Sequence, residues 1–454
     1  MPVSSLRLEP CGGTVLGAPI GQLRARPVRM GRAHPEAILI AWSSDFDIDP
    51  YVEMFYFPKD TLKLALLDLN GSILWQKDLG PGVVPGMYFV PIHACDLDGD
   101  GYDEIWFVNN VNTAHPLSLN GYRLERLSAQ TGETTGQWEW PASHRSQALS
   151  YTFRNFIFHG IVRGEPVLVT AQGTYENMHL QGWDRDMTRR WTHDIAPDSP
   201  GARGSHMVPV ADINNDGIDE VMWGERCIEL DTGRELWCAD RDTYRGHSDI
   251  IAPTLDLETG KWFVYTCRES DPGAAPRVAF YDAAGARVWG ALDAGHIDMG
   301  WVARLGDTGK TAMAICIGAK TCGPDGRHHQ AMESFAFDAY TGEPAGIAFD
   351  PYGTLPVDLN GDGRHEIVRG LAVGDNPGDV LDRYGAPAGQ VNGRVALARK
   401  MGDYPGEQIL VYSPDGEVSL TRDAAAKDSD EALARYANPY YRTCRDGGVL
   451  LGGL

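Results

Sequence analysis

Apolar residues along this chain come in short runs and alternations, such as LALLDL, YRLERL and VAFYD, bounded by Gly, Asp, Asn or Thr. A two-residue period predicts strands, and Asn-Gly, Thr-Gly or Ala-Gly between two such runs predicts hairpins. Three stretches read almost alike: ACDLDGDGYDEIWFV, VADINNDGIDEVMWG and PVDLNGDGRHEIVRG. Each is an apolar strand, an acidic glycine-containing loop and a second apolar strand. Weaker copies lie between them (IVRGEPVLVTAQG, APTLDLETGKWFVYT, WVARLGDTGKTAMAICIG, ARKMGDYPGEQILVY), and RPVRMGRAHPEAILIAW opens the series.

Most copies are followed by an alternating strand, a turn and a strand ending near Trp, as in LALLDLNGSILWQK and IELDTGRELWCA. Each unit therefore holds four strands, A to D, in roughly 40–60 residues, the size of a propeller blade. The A strands start near positions 28, 89, 155, 206, 249, 299, 355 and 393. The expected fold is all-β: a single β-propeller over residues 1–454 with eight blades, or seven if one end copy belongs to a cap. Residues 422–454 are expected to supply a strand that closes the ring.

Composition narrows the function. Asp and Glu total 62 against 40 Lys and Arg, a formal charge of -22. Such a surface repels nucleic acid and anionic lipid, and no basic stripe offsets it. No long apolar window predicts a membrane span. The first residues, MPVSSLRLEP, lack a basic region followed by an apolar core, so the expectation is a cytoplasmic protein or the mature form of a secreted one. The eight cysteines are scattered and show no CxxC spacing, so zinc is not expected. Cys227 and Cys238 flank one hairpin and could face each other as a disulfide, or be two small buried residues on neighbouring strands.

The acidic loops have calcium-site spacing. Carboxylates or amides at positions 1, 3 and 5, a carbonyl at 7 and Glu at 9 converge into an all-oxygen shell suited to Ca2+. The donor sets are Asp96, Asp98, Asp100, Tyr102 and Glu104; Asp212, Asn214, Asp216, Ile218 and Glu220; and Asp358, Asn360, Asp362, Arg364 and Glu366. No helical pattern flanks them, which excludes an EF-hand; plain acidic turns are the alternative. Such loops would sit on A–B turns, where an ion pins a turn.

The stretch SHMVPVADINNDGIDEVMWGERCIELDTGRELW, followed by RGHSDIIAPTLD, resembles the rhamnogalacturonan lyases of polysaccharide lyase family 11. The later GHIDMGWVARLGD and the ending YANPYYRT extend the resemblance, although the family's GHGD reads GHSD and GHID in this chain. The resemblance implies a calcium-binding propeller and a polysaccharide lyase acting by β-elimination on a rhamnose- and uronate-containing glycan, of rhamnogalacturonan or rhamnosyl-glucuronate type. The implied partner is an acidic plant-type or microbial polysaccharide or oligosaccharide, bound by a monomer. Acidic-loop repeats also occur in non-catalytic adhesion propellers, so a calcium-stabilised module that binds glycan or protein is the alternative.

Chemistry belongs on the face opposite the acidic loops, where A strands begin and B–C loops lie. There the sequence places His206, His247 and His296, with Tyr151 and Arg154 before the third unit. Its B–C loops add His115, Tyr175, His179, Arg268, Lys320, Arg327 and His328, and the first unit adds Asp45, Asp47 and Asp49. Elimination needs the uronate carboxylate neutralised, a base for the C5 proton and an acid for the leaving oxygen. The candidate acids and bases are His115, Tyr151, His206, His247 and His296; the carboxylate clamp is Arg154 or Arg245. Tyr175, His179, Arg268, Lys320 and His328 are the further substrate-binding candidates. Each histidine could equally be a structural residue at a strand start, and His93, inside an A strand, is read that way. A glycoside hydrolase would need two flanking carboxylates, for which Asp249 and Asp298 are available.

Overall fold

The computed structural model describes residues 6–31, 36–50, 57–140, 149–269, 275–293, 296–297, 299–307, 312–322, 328–370 and 378–441, with backbone alone at 119, 149–150, 312–322 and 328–332. The described strands form seven four-stranded antiparallel sheets and one three-stranded sheet. The first runs outward through Gln22–Arg29, Glu36–Ser43, Lys63–Asp68 and Ile73–Asp78. The innermost strands of the rest are Ile92–Cys95, Asn155–Val162, Val210–Ala211, Ser248–Asp256, Met299–Arg304, Thr354–Val357 and Arg394–Arg399. Neighbouring inner strands touch, as Gln22–Arg29 does Ile92–Cys95 and Ser248–Asp256 does Met299–Arg304, and the last meets the first to complete a ring. This is a β-propeller.

Burial explains the sequence pattern. A blade's second strand lies between two other blades, so both its faces are sealed: Leu39, Ile40 and Ala41 are each 0% exposed. Such strands read as continuous apolar runs. The outermost strands have one wet face and alternate, as Ile73–Asp78 does.

The recurrent Trp of the outer strand is a latch between blades. Trp75, Trp191, Trp237 and Trp289 donate their indole N–H to the carbonyls of Ala129, Leu230, Ala283 and Ala339 in the next blade's turn, at 2.7–2.9 Å. Each ring covers the glycine of that turn: Gly132, Gly233, Gly285 and Gly342 all have φ between 69° and 78°, and a Cβ there would meet the indole within 2.7 Å. Thr-Gly and Ala-Gly were thus legible as turns, and the packed ring gives a second reason for glycine.

Three expectations are corrected. Seven blades are four-stranded rather than eight. In the unit starting at Met299 the fourth strand is reduced to a single bridge, Phe337 to Pro344, because proline has no N–H to extend the ladder. The ring is closed by the N-terminal strand Leu8–Val15, which pairs with Glu417–Asp423; among the described residues past 423 the regular element is a helix, Asp430–Ala437, capped by the Ser429 side chain. Cys227 faces Trp237 while Cys238 faces Arg226, and both thiols are free. No described helix is long and apolar enough to cross a membrane.

Candidate functional site

Four side chains converge where inner strands begin and second strands end. His206 precedes Val210–Ala211, His247 and Asp249 flank the start of Ser248–Asp256, and Glu269 follows Lys261–Arg268. One donor atom from each lies within 4.8 Å of the others. His206 Nε2 is 3.3 Å and His247 Nε2 3.5 Å from Asp249 Oδ1. His296 Nε2, at the rim, is 3.5 Å from Glu269 Oε1.

His247 is buried, with its Nε2 turned toward Asp249. Burial pushes its imidazole down to about 4, against the pull of Glu269, so the ring is neutral at pH 7. A buried neutral imidazole, two carboxylates and a second imidazole make an N2O2 donor set of the kind that holds a divalent cation. These residues fit a metal.

A polar wall surrounds the cluster. The Tyr88 hydroxyl bonds His206 Nδ1, and the Tyr175 ring stacks on His247 with centroids 4.4 Å apart. Tyr175 Oη lies 3.5 Å from His206 Nε2, and Tyr151 stacks on Tyr175 at 4.8 Å. Arg154 lies over both Tyr88 and Tyr175, 3.5 Å from His206 Nδ1, and pairs with Asp49 at 2.8 Å. Burial, with Glu269 adding, pushes the Tyr175 phenol far above its usual range, and burial does the same to Tyr88. Both phenols therefore keep their protons at neutral pH.

The backbone beneath is fixed by a sealed network. Arg268 Nε binds Glu225 at 3.0 Å, Ser248 Oγ donates to Glu225 at 2.7 Å, and Tyr244 Oη donates to the His247 carbonyl at 2.6 Å. Arg268 also binds Asp240 at 2.9 Å and covers the Tyr244 ring. It is 1% exposed and spent on structure, so the structure corrects its place among substrate-binding residues.

The other predicted residues scatter. His115 stands in its loop, accepting from Leu117 N at 3.2 Å and edging on Phe57. His179 is the second residue of the strand Met178–Trp183, with Nδ1 2.5 Å from Asp194. Both are away from the cluster. Arg245 is exposed two residues before His247. Lys320 and His328 fall on the long strands Ala312–Cys322 and His328–Asp338 rather than in a loop, with side chains outside the described set; Arg327 and Asp298 lie outside the described residues. Asp45 accepts from the Lys59 and Asp60 amides, and Asp47 from Met87. Glu269 and Tyr88 were not singled out in the sequence. Glu269 ends the run FVYTCRE, one residue past a B strand, and that position was the available signal.

The three acidic loops are A–B turns on the opposite face. In each, the first Asp accepts two loop amides, and Glu104, Glu220 and Glu366 accept from Leu97, Ile213 and Leu359 N at 2.9–3.0 Å. Asp96, Asp98 and Asp100 bring oxygens within 4.8 Å of one another. Position 8 clasps the preceding blade: Asp103 bonds Arg29 N at 2.7 Å, Asp219 Ile161 N at 2.6 Å, and His365 Arg304 N at 2.9 Å. The third loop differs, since Asp358 is sealed and binds Arg435 of the C-terminal helix at 3.1 Å. There a guanidinium supplies the positive charge.

Residues 160–319 match the family model described as Rhamnogalacturonan lyase family 11, C-terminal domain. The chain is 26% identical over 273 residues to the rhamnogalacturonan endolyase YesW of Bacillus subtilis, covering 52% of this chain and 43% of that protein. It is 29% identical over 216 residues to the exolyase YesX of the same organism, covering 40% and 34%. The matched stretches thus span less than half of those relatives. The crystal structure of the exotype lyase YesX superposes with a TM-score of 0.76 at 18% identity, over 98% of this chain and 79% of that one. The chain is a β-propeller that over residues 160–319 is similar to the rhamnogalacturonan lyases of family 11.

Proposed function

We propose that the chain is a polysaccharide lyase that cleaves a rhamnogalacturonan-type glycan by β-elimination at the His206–His247–Asp249–Glu269 face. The observation that carries this reading is the convergence of that donor set with Arg154 and two protonated phenols on one side of the ring. The match to the lyase family model supports it. A divalent cation held by the four donors would supply charge neutralisation for the uronate carboxylate as it takes on enolate character.

The remaining roles belong to the chain. Arg154, fixed between Tyr88 and Tyr175, offers a planar guanidinium to the same carboxylate. His296, at the rim beside Glu269, would take the C5 proton. Tyr175, whose phenol keeps its proton, would donate to the leaving oxygen. His115, His179 and Arg268 take no part. The acidic loops at Asp96–Glu104 and Asp212–Glu220 would hold Ca2+ as structural ions, away from the chemistry.

The test is the product. Rhamnogalacturonan incubated with the chain and analysed by mass spectrometry should yield fragments lighter by one water than hydrolysis gives. Hydrolytic masses would overturn the proposal in favour of a glycoside hydrolase.

A further inference from the structure

Two histidines and a cysteine meet inside the ring, away from the face described above. His93 and Cys95 are two apart on the strand Ile92–Cys95 and so point to the same side. His159 reaches them from the next blade's inner strand, Asn155–Val162. His93 Nε2 is 2.7 Å from His159 Nδ1, and one donor atom from each of the three lies within 4.8 Å of the others. His93 and Cys95 are buried and the thiol is free. We propose that His93, Cys95 and His159 form a binding site for Zn2+ that ties two adjacent blades together.

The donor set argues for zinc rather than calcium. Two imidazoles and a thiolate are borderline-to-soft ligands that suit Zn2+, whereas calcium takes oxygen. Both imidazoles are already in the neutral form a metal requires: burial, with Arg29 adding, pushes His159 down to about 4, and burial, with His159 adding, pushes His93 well below its ordinary value. The thiol alone must lose a proton, which passes to solvent as the ion binds. Metal–nitrogen bonds of about 2.0–2.1 Å at tetrahedral angles place the nitrogens about 3.3 Å apart. The rings would therefore open by roughly half an ångström from their present hydrogen bond. With three protein ligands, the fourth position is left to water. A shared proton between two neutral imidazoles is the competing reading.

Cobalt separates the two. The full chain, stripped with chelator and returned to excess Ca2+ so that oxygen sites are filled, is titrated with Co2+. A thiolate–cobalt charge-transfer band should grow to saturation, disappear on adding Zn2+, and be absent from Cys95→Ser and His159→Gln. The His206–His247 cluster has no sulfur and cannot produce that band. No band from the unaltered chain overturns the proposal without any variant, and so does a band that persists in a folded Cys95→Ser.

Discussion

Arg268 and Glu225 form an ion pair 3.0 Å long in which the two side chains are 1% and 0% exposed. The pair joins the parts of the candidate site that the sequence keeps apart. Arg268 is the residue before Glu269, and Glu225 holds Ser248, which lies between His247 and Asp249. Two strand ends are thereby set at one spacing, with no exposed side chain involved. Breaking such a pair leaves a buried charge uncompensated. Arg268→Met should cost about 3–5 kcal/mol in denaturant unfolding, with loss of whatever activity the intact site shows. A change within a few tenths of a kcal/mol would mean that solvent reaches Glu225.

The tryptophan latch is tested at one turn. Gly285 has φ 78°, and a Cβ there would come within 2.7 Å of the Trp237 ring. Gly285→Ala should lower stability by about 1–3 kcal/mol from backbone strain, with the displaced indole adding to it. Gly260, at φ 66° with nothing within 4 Å, is the control: Gly260→Ala should show the backbone cost alone. Equal losses at both positions would show that the indole contributes nothing.

The acidic loops predict a pH dependence with a defined sign. Burial pushes the Glu104 and Glu220 carboxyls from 4.5 up to about 8. Between those values the folded chain binds more protons than the unfolded one, so stability falls as pH rises. Ca2+ favours the ionised carboxylates and opposes the fall. Melting temperatures from pH 5 to 8 should therefore decline more steeply in chelator than in Ca2+, and the gap should widen with pH. Parallel curves would argue against calcium in these loops. In the third loop, Arg435→Met should leave Asp358 and Glu407 without their cation and make stability newly dependent on added Ca2+.

His296 is read as the base, and Glu269, one of the four metal-type donors, lies beside it. His296→Gln should lower kcat by about 10²–10⁴-fold with little change in KM. Unaltered kcat would transfer the role to another group on that face.

The sequence showed the blade count nearly as it is because each unit repeats the same local chemistry: apolar run, acidic or glycine turn, apolar run. It put His206 and His247 at the starts of inner strands, on one face, because strand order alone decides which end of a blade faces which side. It misplaced Arg268, since the residues that bury it, Glu225 and Asp240, come from elsewhere in the chain. Glu269 and Tyr88 carry no motif, and only the closure of the ring brings them to His206 and His296. The closing strand Leu8–Val15 was missed because Pro10, Gly12 and Gly13 interrupt its alternation. Its place is set by pairing with residues about 400 positions away.

The central claim is that the His206–His247–Asp249–Glu269 face performs β-elimination. It is tested most directly by following the ultraviolet absorbance of the conjugated, unsaturated uronate while the chain acts on rhamnogalacturonan. The comparison is His247→Ala, checked for native circular dichroism. The account predicts a steady rise from the chain, loss of that rise in His247→Ala, and loss on chelation that a divalent cation restores. A flat trace from the folded, cation-loaded chain, or an undiminished rise from His247→Ala, would contradict it.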